Sequence, residues 1–572
     1  MTERARKDLI LCLLVAWTVA AVVVWQYRLG SARAWDDPVV YKEDSLFFAA
    51  VVKAARDGYY VPLLSKTNPQ LGAPFIANWN DFPLTEDWLY CVCGLVARYV
   101  GLWRTLNLSL VVAAMLSAIT LFWLARRIGV RRSAASIAAF LFALAPYLFY
   151  RSINHFHLVH YWHVPLLLFV VFSLGHRSRW RWRRKRLPFA LIALLVGTLN
   201  VYYMYFFLLL LVLTALWRIA QSKSVREAVP AVAVGAIAAT GFLISNVDTL
   251  VYACQHGRNP EAVARDPKNS ELYALRPADL LIPPRRHRWW PLRRVGRAYQ
   301  AESVILGERP SSYLGIVGVV SLVLLGALTF IELGRNRLGS ATRSAGMVLW
   351  LVGACCVGGL NSLYGLGGFY LFRGANRVSI VILALTLLFG ARLLSRWFRD
   401  RRAWTQWGIV GVLAVVGVWD QPSWRDGDET ITEERRAIET DRAVGSFLQA
   451  NLLSGAMVFQ LPAMDCPESP WIGRVESYDL FRPYLHTEGL RFSFGNNKGR
   501  PDAQWQFPVA AMPFDQMLAT LRTNRFQALY VDKRGYRPDE VAKMKQFLAS
   551  AGLNRHFELG DFLVALLVGS DP

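Results

Sequence analysis

Residues 106–150 read LNLSLVVAAMLSAITLFWL, then ARRIGVRR, then SAASIAAFLFALAPYLFY. Two long apolar runs flank a short turn that holds four arginines. About 20 apolar residues cross the hydrocarbon core of a bilayer, and short Lys/Arg-rich loops stay on the cytoplasmic side. The stretch therefore reads as a helical hairpin across a membrane, with its turn inside.

The same alternation repeats along the chain. Spans are predicted at 9–27, 106–124, 133–150, 160–175, 187–201, 204–219, 227–246, 313–332, 345–360, 378–396 and 406–419, about eleven transmembrane helices in all. Hydrophobic residues make up 54% of the chain and charged residues 18%, against roughly 45–50% and 25% in soluble domains. A soluble enzyme, a disordered chain and a collagen-like fibre are excluded. Six short segments between apolar runs (1–8, 125–132, 176–187, 217–227, 332–344 and 391–402) hold 25 Lys+Arg and 5 Asp+Glu. They supply most of the net charge of +23. Basic residues divided among so many loops report orientation, and no nucleic-acid partner is expected.

This pattern places the N-terminus in the cytoplasm and makes the first span a retained anchor, since its apolar core is longer than that of a signal peptide. Residues 28–87 become a first outside loop and 247–311 a second. The stretch 88–102 is short, and if it crossed, the arginines of 125–132 would face outward; it is expected to be interfacial or re-entrant. Residues 1–420 form the transmembrane domain and 421–572 an extracytoplasmic, periplasmic domain. In that tail, amphipathic helices at 431–452, 513–524 and 538–551 alternate with apolar strands at 457–461, 528–532 and 562–568. Such alternation predicts an α/β domain. The expected location is the inner membrane, with multiple passes.

Chemistry is sought outside, because the spans are nearly free of ionisable residues. The first outside loop carries Glu43-Asp44-Ser45 before an amphipathic run, then Asn78-Trp-Asn-Asp-Phe-Pro83 and Glu86-Asp87. A carboxylate at the start of an interfacial helix suits a general base acting on a sugar or lipid hydroxyl. It equally suits a helix N-cap.

The acidic pair after the first span, the interfacial helices, the return through Asp-Phe-Pro and the basic Ala-Arg-Arg-Ile-Gly turn resemble the GT-C superfamily of membrane glycosyltransferases. Phe372-Arg-Gly-Ala-Asn-Arg377 is similar to segments of the YfhO-like group. The resemblance implies a GT-C-like polytopic fold and an inverting transfer of a sugar from a polyprenyl-phosphate-linked donor to a lipid or glycan acceptor. It implies Asp44 as catalytic base, with Glu43 beside it; Ser45-Leu-Phe departs from the Gly or Glu many members carry near the acid. Arg373, Arg377 and Arg151 are expected to bind the donor phosphate, or to snorkel at the interface. The metal is left open: some members use a divalent ion, Mg or Mn, and others use none.

Between two spans lies Arg151-Ser-Ile-Asn-His-Phe-His-Leu-Val-His-Tyr-Trp-His163. His157, His160 and His163 recur every three residues and are expected to form a stripe on a helix, lining a donor pocket, binding a metal or forming an interface belt. Asp81, Asp87, His155, His157, His160 and His163 are assigned to the substrate pocket. The loop segment 285–297, with six arginines between tryptophans, suits membrane lipid head groups. Seven cysteines give no framework, although Cys254 and Cys466 both fall outside, where a bridge between them is open. The rival to the enzyme is a non-catalytic lipid or glycan transporter or flippase of similar architecture.

Overall fold

The computed structural model describes residues 2–82, 86–175, 179–266, 268–303, 307–368, 373–421, 428–553 and 555–567. The chain forms two compact units. The first comprises Met1–Ser31, Leu108–Ile244 and Arg265–Arg425; the second comprises Ala32–Asn107, Ser245–Ala264 and Asp426–Pro572.

The first unit is helical. Among the described residues, seven helices are long and apolar enough to cross a membrane: Glu3–Gln26, Leu102–Arg127, Arg132–Arg151, Val201–Ser222, Val225–Ser245, Gly315–Gly334 and Ala375–Asp400. The first residues of Leu102–Arg127 belong to the second unit. All eleven predicted stretches are helical, so the correction concerns length. Tyr161–Leu174 and Ala403–Trp419 are shorter apolar helices, Ser340–Cys355 has 16 residues, and Arg179–Leu199 begins with a charged run and contains Pro188. At 1.5 Å per residue, helices of 14–17 residues rise about 21–26 Å, short of the roughly 30 Å core. Arg132–Arg151 and Ala375–Asp400 are enclosed by their neighbours, while Gly315–Gly334 is buried over only 17% of its apolar window.

The second unit joins the first outside loop to the tail. A small antiparallel sheet of β1 (Tyr60–Val61), β2 (Ser65–Asn68) and β3 (Ala77–Asn78) lies between helices Asp44–Arg56 and Asp87–Val100 in sequence. The tail holds β4 (Met457–Leu461), β5 (Arg491–Phe492), β6 (Phe526–Asp532), β7 (His556–Leu559) and β8 (Phe562–Leu566), ordered β5-β4-β6-β8-β7. β4 pairs in parallel with β5 and β6, and β8 runs antiparallel to β6 and β7, so the sheet is mixed. Every predicted strand of the tail is present. The two additions are the two-residue β5 and the largely exposed β7, both too weakly patterned to be seen as apolar runs.

Loop and tail share one core. Phe47 packs on Tyr478 at 5.2 Å and on Phe481 at 6.2 Å between ring centroids. Trp79 donates its indole N–H to the Gly495 carbonyl at 2.8 Å, and the Arg491 guanidinium binds the carbonyls of Pro69, Pro74 and Phe75. Charges are joined as well. Arg482 bridges Asp441 at 3.0 Å and Asp479 at 2.9 Å, and Arg534 bridges Asp479 at 3.0 Å and Asp532 at 2.6 Å. The Tyr41 hydroxyl donates to Asp441 at 2.7 Å. Its single proton is thereby used, so the His486 Nε2, 2.8 Å from the same oxygen, must donate to it.

Helix Asp87–Val100 buries Asp87, Tyr90, Cys93, Gly94 and Ala97 on one face, while Trp88, Val92, Leu95 and Tyr99 face outward. Its 14 residues rise about 21 Å, too little to span. It crosses Asp44–Arg56 closely: a Cβ on Gly94 would lie 2.6 Å from the Ala55 Cβ and 2.7 Å from the Arg56 nitrogen. Gly94→Ala is therefore expected to force the two helices apart and destabilise the fold by about 1–3 kcal/mol, read as a lower thermal midpoint in detergent.

Burial, reinforced by Arg442, Arg482 and Lys53, pushes the His486 imidazole down to about 3. The folded chain holds it neutral, whereas the unfolded chain protonates it near 6.5. This contribution is fully present above about pH 6.5 and is lost as pH falls towards 3. At pH 5 the loss is about 2 kcal/mol. The thermal midpoint of the wild type should fall more between pH 7.5 and 5 than that of His486→Gln.

Candidate functional site

In the second unit, Asp44 opens helix Asp44–Arg56. A tight turn delivers it: the Ser45 hydroxyl donates to the Lys42 carbonyl at 2.6 Å and accepts from the Lys42 N–H at 3.0 Å. Glu43, inside that turn, has φ +51° and ψ −136°. A non-glycine residue held there stores roughly 1–3 kcal/mol of strain, a feature that clusters at functional sites. The turn separates the two acids: Glu43 is exposed, while Asp44 is half-buried at the helix N-terminus, where the helix dipole favours a carboxylate. The Asp44 charge acts on Tyr478 and Tyr90, whose hydroxyls lie well above their ordinary value, chiefly through burial. Glu43 instead faces Glu476, whose carboxyl is raised by burial first and then by Asp479 and Glu43.

The two acids of this loop assigned to the substrate pocket are committed to pairs. Asp81 is gripped by Arg500 through two hydrogen bonds of 2.7 and 2.8 Å and accepts a third from Asn259 at 3.0 Å. Asp87 is fully enclosed. Lys66, also buried, lies 2.8 Å from it, and the Tyr60 hydroxyl donates to it at 2.5 Å. Burial raises its carboxyl, with Lys66 opposing. Lys66 also reaches Asp248 at 3.2 Å, which ties residues 245–264 to the loop. Asp81 is half-buried and Asp87 enclosed, and each carboxylate is held by a basic partner; Pro83, in the same motif, lies outside the described residues.

In the first unit the structure gathers three of the predicted residues around one that the sequence reading passed over. Arg151 closes its helix, and its guanidinium is 2.6 Å from Glu308 and 2.9 Å from the Ser311 hydroxyl. Arg377 approaches the same carboxylate at 3.7 Å, His155 at 3.5 Å, and the Asn376 amide donates to it at 3.3 Å. Aromatic rings line both cations: Arg377 lies 4.0 Å from the centroid of Tyr202, and Arg151 5.3 Å from that of Tyr147. Arg151 is 2% exposed and Arg377 8%. The Nε atoms of both are buried, and among the described residues neither has a hydrogen-bond acceptor. Burial would raise the Glu308 carboxyl, but the two guanidinium groups outweigh it and hold it well below the usual carboxylate range. His155 is lowered by burial, with the Glu308 hydrogen bond opposing. The cluster therefore contains two fixed cations, one fixed anion and a neutral imidazole, and it is short of one negative charge. A hint was present in the sequence: Glu308 is the last acid before the span at 313.

The Arg373 guanidinium lies 5.3 Å from the Tyr273 centroid, and Phe372 lies outside the described residues. The histidine stripe is corrected. Residues 152–163 form short 3-10 turns, Ile153–His155 and Tyr161–His163, broken at Ser152 with φ +42°. The rings accordingly diverge. His155 meets Glu308, His160 is 3.0 Å from the Ser109 hydroxyl, and His163 stacks edge-on against Tyr203. His157 is half-buried, and desolvation together with Arg377 holds it neutral. Among the described residues no three His, Cys, Asp or Glu side chains converge on a common point, and all seven cysteines are free. In the 285–297 segment, His287 is buried 2.8 Å from Asp420, and the arginines that follow lie on the amphipathic helix Trp290–Ala301.

Among the described residues Glu308 is the one carboxylate paired with Arg151 and Arg377, and removing it leaves two buried cations uncompensated. Glu308→Gln is expected to cost about 3–5 kcal/mol, and Glu308→Asp less, measured as loss of thermal stability of the purified chain.

No protein-family model and no curated protein sequence matches the chain. Solved structures do. ArnT from Cupriavidus metallidurans in the apo state aligns with a TM-score of 0.53 at 13% identity, covering 99% of this chain and 99% of that one. The same protein bound to undecaprenyl phosphate gives 0.53 at 12% identity, with 98% of each chain covered. The Archaeoglobus fulgidus oligosaccharyltransferase aligns at 0.44 and 11% identity, covering 91% of this chain and 69% of that one. At these identities the likeness is one of fold: over nearly its full length the chain has the fold of ArnT.

Proposed function

We propose that the chain is an inverting glycosyltransferase of the inner membrane that moves a sugar from a polyprenyl-phosphate donor to an acceptor hydroxyl on the outer face. The observation that carries this reading is the buried Arg151–Arg377 pair sharing one carboxylate. A lipid phosphate supplies the missing negative charge and acceptors for the two unpaired Nε–H groups, and guanidinium is the side chain best matched to phosphate oxygens. The undecaprenyl phosphate bound by ArnT, a protein of the same fold, supports that choice of anion.

In the proposed reaction the acceptor hydroxyl attacks the anomeric carbon as Asp44 takes its proton. The bond between that carbon and the phosphate oxygen breaks, and the electron pair leaves with the phosphate. Arg151 and Arg377 stabilise the charge that grows there. Glu308 keeps the two cations in place while the site is empty. Asp44 is preferred over Glu43 because it is half-buried and fixed at a helix start, whereas Glu43 is exposed. The basic loops are assigned to the cytoplasm and the tail to the periplasm.

The test uses the purified full-length chain in nanodiscs with radiolabelled undecaprenyl-phosphate sugars and a membrane lipid extract as acceptor. Asp44→Asn should retain undecaprenyl phosphate binding and lose transfer by about 10²–10⁴-fold, the usual worth of a general base, while Glu43→Gln stays within a few-fold of wild type. Arg377→Gln should weaken binding of undecaprenyl phosphate. Full transfer by Asp44→Asn would remove the base assignment, and binding without turnover in the wild type would favour a lipid carrier.

A further inference from the structure

Three of the basic segments meet in space. A cavity of about 510 Å³ opens among the start of helix Glu3–Gln26, the turn 126–133 and the start of helix Ala403–Trp419. Its cations are Arg4, Lys7, Arg126, Arg131 and Arg132. Only two carboxylates answer them. Glu3 pairs with Lys7 at 2.5 Å, and Asp8 holds Arg126 at 3.2 Å and Arg132 at 2.5 Å. Arg4 and Arg131 are left over: both are exposed, and among the described residues neither guanidinium has an acid or hydrogen-bond partner.

The rim is built rather than loose. Asp8 fixes two of the arginines, the Arg132 guanidinium also reaches the Arg4 carbonyl at 3.2 Å, and the Arg131 backbone N–H donates to the Ser395 hydroxyl at 2.9 Å. Ser133 donates to Gln406, whose amide in turn binds the carbonyls of Phe398 and Arg401. Below the cations, helix Glu3–Gln26 leaves Ile10, Leu14 and Trp17 uncovered on the side that carries Lys7, and Trp407 stands exposed at the cavity edge. The row at i, i+4 and i+7 is a continuous apolar stripe. A basic hollow above an apolar stripe has the two halves of a phospholipid's chemistry: an anionic head and a hydrocarbon chain.

We propose that this cavity is a binding site for an anionic glycerophospholipid, its phosphate held between Arg4 and Arg131 and one acyl chain lying along Ile10, Leu14 and Trp17. The site is distinct from the Arg151–Arg377 cluster. Arg132 and Arg151 are opposite ends of one 20-residue span, which sets the two about 30 Å apart. Charge at this end of the spans therefore does more than orient the chain; it recruits a lipid that pins the first helix to the turn at 126–133.

Native mass spectrometry of the delipidated full-length chain tests this with phosphatidylglycerol, phosphatidylcholine and inorganic phosphate as probes. Phosphatidylglycerol should bind at least tenfold more tightly than phosphatidylcholine, and the double variant Arg4→Gln/Arg131→Gln should lose most of that preference, since each basic side chain near a membrane surface contributes severalfold. Neither side chain has a partner to lose, so folding is expected to survive; a thermal midpoint close to wild type checks this. Arg335→Gln/Arg337→Gln, an equal loss of exposed charge in another basic loop, should keep the preference. Retention of the preference by Arg4→Gln/Arg131→Gln, its loss in the Arg335/Arg337 control, or equal binding of phosphatidylcholine would overturn the proposal. Displacement of the lipid by equimolar inorganic phosphate would also overturn it, identifying a site for a free anion.

Discussion

Arg482 is the side chain on which the second unit depends. It is enclosed, it touches Asp441 and Asp479, and it lies 4.5 Å from the centroid of Tyr41. A buried arginine is costly unless carboxylates and hydrogen bonds compensate it, so this one dictates where its partners must be. Asp441 comes from the long helix Asp428–Asn451, Asp479 from the segment before Arg482, and Tyr41 from the first loop. Three stretches of chain are thereby held in one register, and Asp44 stands three residues from the point of attachment. The strained turn at Glu43 is tolerable because both of its ends are fixed: Tyr41 by the charge network and the helix after Asp44 by close packing against Asp87–Val100.

The two units handle charge by opposite rules. In the second, cations and anions are matched: Lys66 with Asp87 and Asp248, Arg500 with Asp81, and Lys53 and Arg56 with Asp57 and Glu488. Such pairs hold a loop still and ask for nothing more. In the first, among the described residues, Arg151 and Arg377 share a single acid, and Arg4 and Arg131 have none. An imbalance kept at a fixed place is an invitation to an anion, and both imbalances lie at span ends, where phosphate groups of lipids reside.

Much of this was legible from the sequence, and the rest was hidden for definite reasons. Apolar runs broken by arginines announce membrane helices because burial in lipid leaves few other solutions; the number of long spans was overestimated because window composition is blind to where a helix starts and stops. Arg151 and Arg377 were recognisable as isolated charges at span ends. Glu308 was not, since its partners lie 157 and 69 positions away in number, and pairing over such separations exists only in three dimensions. The histidine repeat misled because a three-residue period implies a stripe only if the backbone stays helical, and Ser152 with its positive φ starts a series of tight turns instead. The partners of Asp81 and Asp87, which the sequence reading assigned to the substrate pocket, were not legible because Arg500 lies far along the chain and Lys66 in an unpatterned stretch.

The second unit is woven from three separated lengths of chain, 32–107, 245–264 and 426–572. During synthesis the first of these emerges long before the last. Until residues 441–482 have been made, the loop bearing Asp44 has no Arg482 to seat it, although every helix of the first unit has already been synthesised. The carboxylate proposed as the base thus gains its fixed position only at the final stage of synthesis, and an interrupted nascent chain would carry the helices of the first unit with Asp44 still unseated.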